Sequence, residues 1–232
     1  MNIAVITARG GSKRIPKKNI KDFLGKPIIA YSIEAALKCG LFDEVMVSTD
    51  DDEIADISLS YGAKVPFRRS AKTSDDYATT SDVLKEVINE YDKRGRNFDW
   101  LCCIYPTAPF VTSGLLIDCM DEIKSKNADA LTPVVKFSFP PQRAFVLDEN
   151  GCLLYKWPEN ASRRSQDLEP FYHDAGQFYF MKAESFLNTG KKFTPPIAYI
   201  LDELYVQDID NVEDWEIAEF KYKFLNNIRS KE

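Results

Sequence analysis

The sequence predicts an α/β fold on a mostly parallel central sheet, from three observations. A short β-branched run, Ile3–Ala4–Val5–Ile6, closes at Thr7 and is followed by Gly10 and Gly11, the pattern of a buried strand. Downstream, strand-length apolar runs alternate with segments of helical spacing. That rhythm implies parallel strands joined by right-handed crossovers, with helices on both faces. The 232 residues, 44% hydrophobic and 28% charged, suffice for one large domain with a sizeable core.

The elements follow in order. Ile28 to Cys39 carries apolar residues at helical spacing and Gly40 ends it. Glu44 to Ser48 is a second strand. Thr49 or Asp50 is expected to cap a helix over Asp51 to Tyr61, whose Asp51, Asp52 and Glu53 favour the positive helix end better than they suit a metal. Gly62 stops that helix, and Lys64 to Phe67 reads as a third strand. Arg68 to Thr80 is a polar surface loop, with Thr80 a candidate cap for a helix over Ser81 to Tyr91. Trp100 to Ile104 is a central strand. Pro106 and Pro109 then stiffen a turn at its carboxyl end, where open α/β sheets bind ligands. Ser113 to Lys126 is a helix and Ala130 to Val135 a strand. Residues 136–172 break the rhythm with prolines, aromatics and short strand-like pieces. They read as an inserted dimerisation or lid segment within a single 1–232 domain. Gln177 to Met181 and Leu204 to Gln207 are late strands, and Val212 to Asn227 is the last helix.

Composition excludes several classes. The net charge of −6 disfavours a general nucleic-acid binder. No run is long and apolar enough to span a membrane. The apolar start has no charged region before it and reads as strand, not signal peptide. Five cysteines lack any C-x-x-C spacing, as expected of buried reduced thiols in a cytoplasmic protein.

Two stretches carry chemistry. Arg9, Lys13, Arg14, Lys17, Lys18 and Lys21 crowd the loop after the first strand, and no acid appears before Asp22. Glycines allow backbone N–H groups to approach a ligand, and so many cations repel one another until an anion joins them. The loop therefore reads as a polyphosphate cradle, shaped by Pro16. It is neither a Walker A loop nor a G-x-G-x-x-G fingerprint. At the other end, Asp208–Ile209–Asp210 places two carboxylates on one side of an extended chain, a pair of hard oxygen ligands suited to Mg²⁺ with phosphate oxygens. Capping by Asp210 or Asn211 would explain one of these acids but not both. His173, the single histidine, neighbours Asp174, but adjacent strand residues face opposite ways, so packing or ligand contact suits it better than catalysis.

The run A-R-G-G-S-K-R-I-P-K-K-N, Ala8 to Asn19, resembles the signature loop of the CMP-sialic acid synthetase (acylneuraminate cytidylyltransferase) family, in its pseudaminic acid branch. Arg69, Asp76, Ala78 and Thr80 match a second family segment, with Ser70 where proline is usual. Y-P-T-A-P-F (Tyr105 to Phe110) and D-A-G-Q-F-Y (Asp174 to Tyr179) resemble the pseudaminic forms of two more. The resemblance implies a Rossmann-like three-layer nucleotidyltransferase fold whose excursion reaches a partner subunit in a homodimer. It implies that Ala8, Arg9, Gly10, Gly11, Ser12, Lys13, Lys18, Asn19, Arg69, Ala78 and Thr80 bind CTP. Tyr105, Thr107, Arg164, Gln166 and Gln177 would contact a nine-carbon sugar acid, the arginine through its aptitude for carboxylates. Asp208 and Asp210 would hold Mg²⁺, one ion or two.

The reaction implied is attack of the sugar's anomeric hydroxyl on the α-phosphorus of CTP, with pyrophosphate leaving. Lys13 and Arg9 would neutralise charge, and Asp210 or a metal-bound hydroxide would take the proton. N-acetylneuraminic and legionaminic acids are alternative sugars. A D-x-D glycosyltransferase and a nucleotide-binding regulator without catalysis are the more remote readings.

Overall fold

The structure, a computed structural model, describes residues 1–188 and 195–229. In chain order the elements are β1 (Asn2–Thr7), β2 (Asp22–Phe23), β3 (Lys26–Pro27), α1 (Ile28–Lys38), β4 (Glu44–Ser48), α2 (Asp52–Ser60), α3 (Ala71–Ser74), α4 (Thr80–Asp92), β5 (Trp100–Ile104), α5 (Ser113–Ser125) and β6 (Ala130–Lys136). There follow β7 (Phe145–Leu147), β8 (Leu153–Tyr155), β9 (Tyr172–Asp174), β10 (Phe178–Lys182), α6 (Ala183–Leu187), β11 (Ile197–Leu201) and α7 (Val212–Arg229).

A seven-stranded sheet runs β11-β6-β10-β5-β1-β4, with β9 also paired to β6. Strands β11, β6, β5, β1 and β4 share one direction, while β9 and β10 run against it. Alternation along the strands builds the three layers. Ala4, Ile6, Val45, Val47, Cys102 and Ile104 point to one face, where they pack with residues of α1 and α5. Ile3, Val5, Met46, Leu101 and Cys103 point to the other, against Leu84, Val87 and Tyr91 of α4. A separate aromatic cluster seats α7. Trp215 and Tyr222 pack edge-on to Phe23, and Tyr31 meets Tyr222 at 5.2 Å between ring centres.

Several sequence expectations are corrected. Lys64 to Phe67 is not a strand. Only Lys64 bridges to Met46, because Pro66 cannot donate to a ladder. Helix α2 is capped by Asp51, whose side chain accepts from the Ile54 N–H, rather than by Thr49 or Asp50. Helix α4 is capped by Thr79 in a capping box with Asp82, so Thr80 lies within the first turn. The Arg68–Thr80 loop contains the short helix α3. Leu204 to Gln207 is not a strand either. Asp202 accepts the Leu204 N–H and turns the chain into one 3₁₀ turn, Glu203–Tyr205, after β11. The inserted segment forms a hairpin of β7 and β8 whose Phe145, Leu147, Leu153 and Leu154 are exposed.

One buried acid ties the far end of the sheet. Glu44 begins β4 and accepts the Tyr91 hydroxyl at 2.9 Å, Arg96 Nη1 at 2.8 Å and Lys64 Nζ at 3.0 Å. Burial alone pushes this carboxyl up, but these donors together overcome burial and hold it below its usual range. A carboxyl held low adds stability in full above its unfolded value and loses it as pH falls through the folded value. Glu44→Gln should therefore cost about 1–3 kcal/mol at neutral pH and progressively less in acid. Urea unfolding across that pH range measures the difference.

Candidate active site

Strands β1 and β5 lie side by side and end at the same edge of the sheet, delivering the basic loop and the Tyr105 turn to one place. A cleft of about 520 Å³ opens there, lined by Arg9, Ser12, Lys13, Arg14, Lys18 and Asn19 on one side. Tyr105, Pro106 and Thr107 stand at the end of β5, and Asp208 and Asp210 complete the lining. Thr7, the last residue of β1, lies at the base. Lys13 and the Asp208/Asp210 pair thus face the same volume.

The loop is fixed from within. Asn19 Nδ2 donates to the Arg9 carbonyl at 2.9 Å, and Ile15 is buried beneath in the α7 cluster. The Gly10 N–H does not stand open to a ligand as its glycine suggests. It donates to Asp50 Oδ1 at 2.9 Å. A Cβ on Gly10 would come within 2.8 Å of Asp51 Oδ2, so close approach to the α2 cap is what requires glycine there. The Ala8 N–H is spent on the Ser48 carbonyl. An anion entering this loop would therefore meet its side-chain cations and not these two amides.

Those cations are already met by acids. Asp76 accepts Arg9 Nη1 at 2.8 Å and is ion-paired to Lys13; Arg9 also reaches the Asp75 carbonyl. Hydrogen bonds from Lys13 and Arg9 hold the Asp76 carboxyl below its usual range. Arg14 Nη2 bonds Asp210 at 2.8 Å, and Lys18, bonded to the Ile209 carbonyl, stands 3.8 Å from the same carboxylate. Burial lowers the Lys18 ammonium.

The acid pair is posed by the residue between its members. Ile209 is fully buried in the α7 cluster, which turns its neighbours to the cleft. Helix α7 is capped by Asn211, whose side chain accepts the Asp214 N–H at 2.9 Å, while Asp214 takes the Asp210 and Asn211 N–H groups. Neither Asp208 nor Asp210 is spent on capping. Burial, then the neighbouring Asp210, pushes the Asp208 carboxyl up.

Other expected site residues lie elsewhere. Arg69 is buried with its guanidinium on the hydroxyl and carbonyl of Ser48, and burial pushes it down to about 10. It braces the end of β4 and does not line the cleft. The Ala78 N–H is held by Asp75 within its own loop. Thr80 lines a second, largely apolar cavity of about 470 Å³, whose walls include Leu84, Leu131, Met181 and Tyr179. Tyr105 belongs to both cavities. Arg164 forks onto Asp167 at 2.7 and 3.1 Å, and Gln166 sits in the same 3₁₀ turn; neither lines the cleft. Gln177 is buried behind the wall. His173 packs edge-on to Phe137 and its Nδ1 meets the Asp174 carbonyl. The site gains Arg14 and Asp76. Arg14 was visible among the loop cations, and Asp76 only in its matched segment.

A sequence model of the cytidylyltransferase family matches residues 3–212. The chain is 43% identical to a pseudaminic acid cytidylyltransferase of Campylobacter jejuni subsp. jejuni serotype O:2, over 96% of each chain. It is 33% identical to a CMP-N,N'-diacetyllegionaminic acid synthase of Legionella pneumophila, over 94% of each. Among solved structures, a CMP:2-keto-3-deoxy-manno-octonic acid synthetase complexed with CTP superposes with a TM-score of 0.69 at 19% identity, over 95% of this chain and 98% of that one, a likeness of fold.

Asp76 competes with any polyanion for Arg9 and Lys13. Asp76→Asn should bind inorganic triphosphate about two- to fivefold more tightly than the parent, by titration calorimetry at low salt.

Proposed function

The chain belongs to the cytidylyltransferase family, and from that premise we propose that it transfers CMP from CTP to the anomeric hydroxyl of pseudaminic acid, releasing pyrophosphate. The observation that carries this reading is the single cleft in which the cationic loop faces two carboxylates at the ends of β1 and β5. Arg9, Lys13 and Lys18 attract the triphosphate and offset its charge as pyrophosphate departs. Displacement at phosphorus depends on placement and charge neutralisation, which explains a site rich in cations without a covalent nucleophile. Tyr105 and Thr107 bring the sugar acid in from the β5 side. The apolar cavity behind Tyr105 suits the acyl and methyl groups of such a sugar. Asp210 is the candidate proton acceptor.

The donor set suits Mg²⁺. Asp208 forms no ion pair among the described residues, and it stands exposed beside a second carboxylate, an arrangement that a cation relieves. Among the described residues no group of three or more His, Cys, Asp or Glu converges, so an ion on Asp208 and Asp210 would be completed by phosphate oxygens and water. Bound there, Mg²⁺ would withdraw charge from the phosphate oxygens.

The exposed apolar hairpin supports a homodimer. In that assembly Arg164 and Gln166, which stand away from their own cleft, are offered to the partner's. No helix among the described residues is long and apolar enough to cross a membrane. The four buried cysteines suit a reducing, cytoplasmic setting.

Pyrophosphate release with CTP and a panel of nonulosonic acids tests the reaction. Pseudaminic acid should be used at least about tenfold better, by kcat/KM, than legionaminic or N-acetylneuraminic acid, the lower end of what an apolar pocket discriminates for one small group. Lys13→Ala should lower kcat about 100-fold with an unchanged melting temperature; near-normal release would remove Lys13 from the mechanism. The Leu147→Lys, Leu153→Lys double variant should scatter light as a 26.5 kDa monomer where the parent scatters as twice that mass.

A further inference from the structure

Gln177 has no place in the cleft, yet it is 2% exposed and hydrogen-bonded to both segments that form the wall opposite the basic loop. Its backbone carbonyl accepts the Tyr105 N–H at 2.8 Å, extending the β5–β10 ladder by one bond. Its side-chain Nε2 donates to the Tyr205 carbonyl at 2.8 Å, three residues before Asp208. Gly176, at φ +63°, lies under Asp208, whose carboxyl carbon is 3.8 Å from where a Cβ would stand. The same turn is braced by Asp174, which accepts the Gly176 N–H and the Tyr179 hydroxyl, and Tyr179 packs edge-on to Tyr105. From the outer side, Lys221 Nζ holds the Val206 carbonyl at 2.7 Å.

The Gln177 Oε1 is buried with no partner among the described residues. Leaving a buried acceptor unpaired is unfavourable, and an apolar side chain of similar volume would avoid it. What the amide provides is the bond to Tyr205.

We propose that Gln177 is a positioning residue for the transfer reaction, its side-chain amide setting where Asp208 stands relative to the Tyr105 turn. This rests on the cytidylyltransferase reading above. Gln177 touches neither the basic loop nor the cleft, so its influence falls on alignment of the reacting groups and not on capture of the triphosphate. Misplacement of about 1 Å at a reacting centre costs on the order of 100-fold in rate.

The test compares Gln177→Leu and Gln177→Met, which fill the space without the hydrogen bond, with the parent. The readouts are kcat at saturating CTP and pseudaminic acid, the CTP dissociation constant by calorimetry, and the melting temperature. Expected is a fall in kcat on the order of 10–100-fold with CTP affinity within about twofold of the parent. Should Gln177→Leu fail to fold, the unbranched methionine carries the comparison. Unchanged kcat in a folded variant overturns the proposal. So does parallel loss of kcat, CTP affinity and melting temperature, which would make Gln177 a fold-holding residue. A parent that binds CTP but releases no pyrophosphate with any nonulosonic acid overturns the functional reading and the positioning role together.

Discussion

The cleft depends on a shared apolar anchor. Ile15, in the basic loop, and Ile209, between the two acids, are buried in the same cluster with Phe23, Tyr31, Trp215 and Phe110. They lie far apart in sequence, so one piece of packing registers the cationic wall against the acidic one. Burying each side chain contributes about 1.5–3 kcal/mol, enough to fix two segments that otherwise carry mostly charge and would drift in water. Helix α7 supplies the cluster's aromatic floor, and its Asn211–Asp214 cap leaves the acids before it free for the cleft.

Electrostatics then explains how the cleft gathers so many cations. Its lining cations would repel one another if left alone. Asp76 and Asp210 hold Arg9, Lys13 and Arg14 in pairs that are largely exposed and therefore weak. Such weak pairs hold the long side chains in place and can be exchanged for other partners at small cost. Lys18, less exposed and held on the Ile209 carbonyl, is the firmer of the cations.

Local signals were legible in the sequence wherever they were short and strong. The first strand, the helices ending at glycine, the basic loop and the D-x-D pair all follow from residue type and spacing. What escaped required knowledge of partners. Strand β10 reads as a strand in isolation, but nothing local says that it inserts antiparallel between β5 and β6. Arg69 matches a nucleotide-contact segment, yet folding buries it on Ser48. Gln177 sits in a motif whose resemblance implies ligand contact, and only the path of the chain at Tyr205 reveals its inward hydrogen bond. The late strand was misplaced because Asp202 turns the chain, a side-chain bond that apolar alternation does not report. Strand β11, Ile197–Leu201, directly follows the prolines at 195 and 196, which mask a strand-like run.

The reversed direction of β10 has a geometric corollary. In a sheet of parallel strands, the rim where ligands gather is made only from chain that is leaving the strands. A reversed strand enters the sheet from that rim, so the residues just ahead of it join the same edge. Asp174, Gly176 and Gln177 hold such a place beside the departing Tyr105. This topology lets an arriving segment vary beside the Tyr105 turn without altering the basic loop that follows β1.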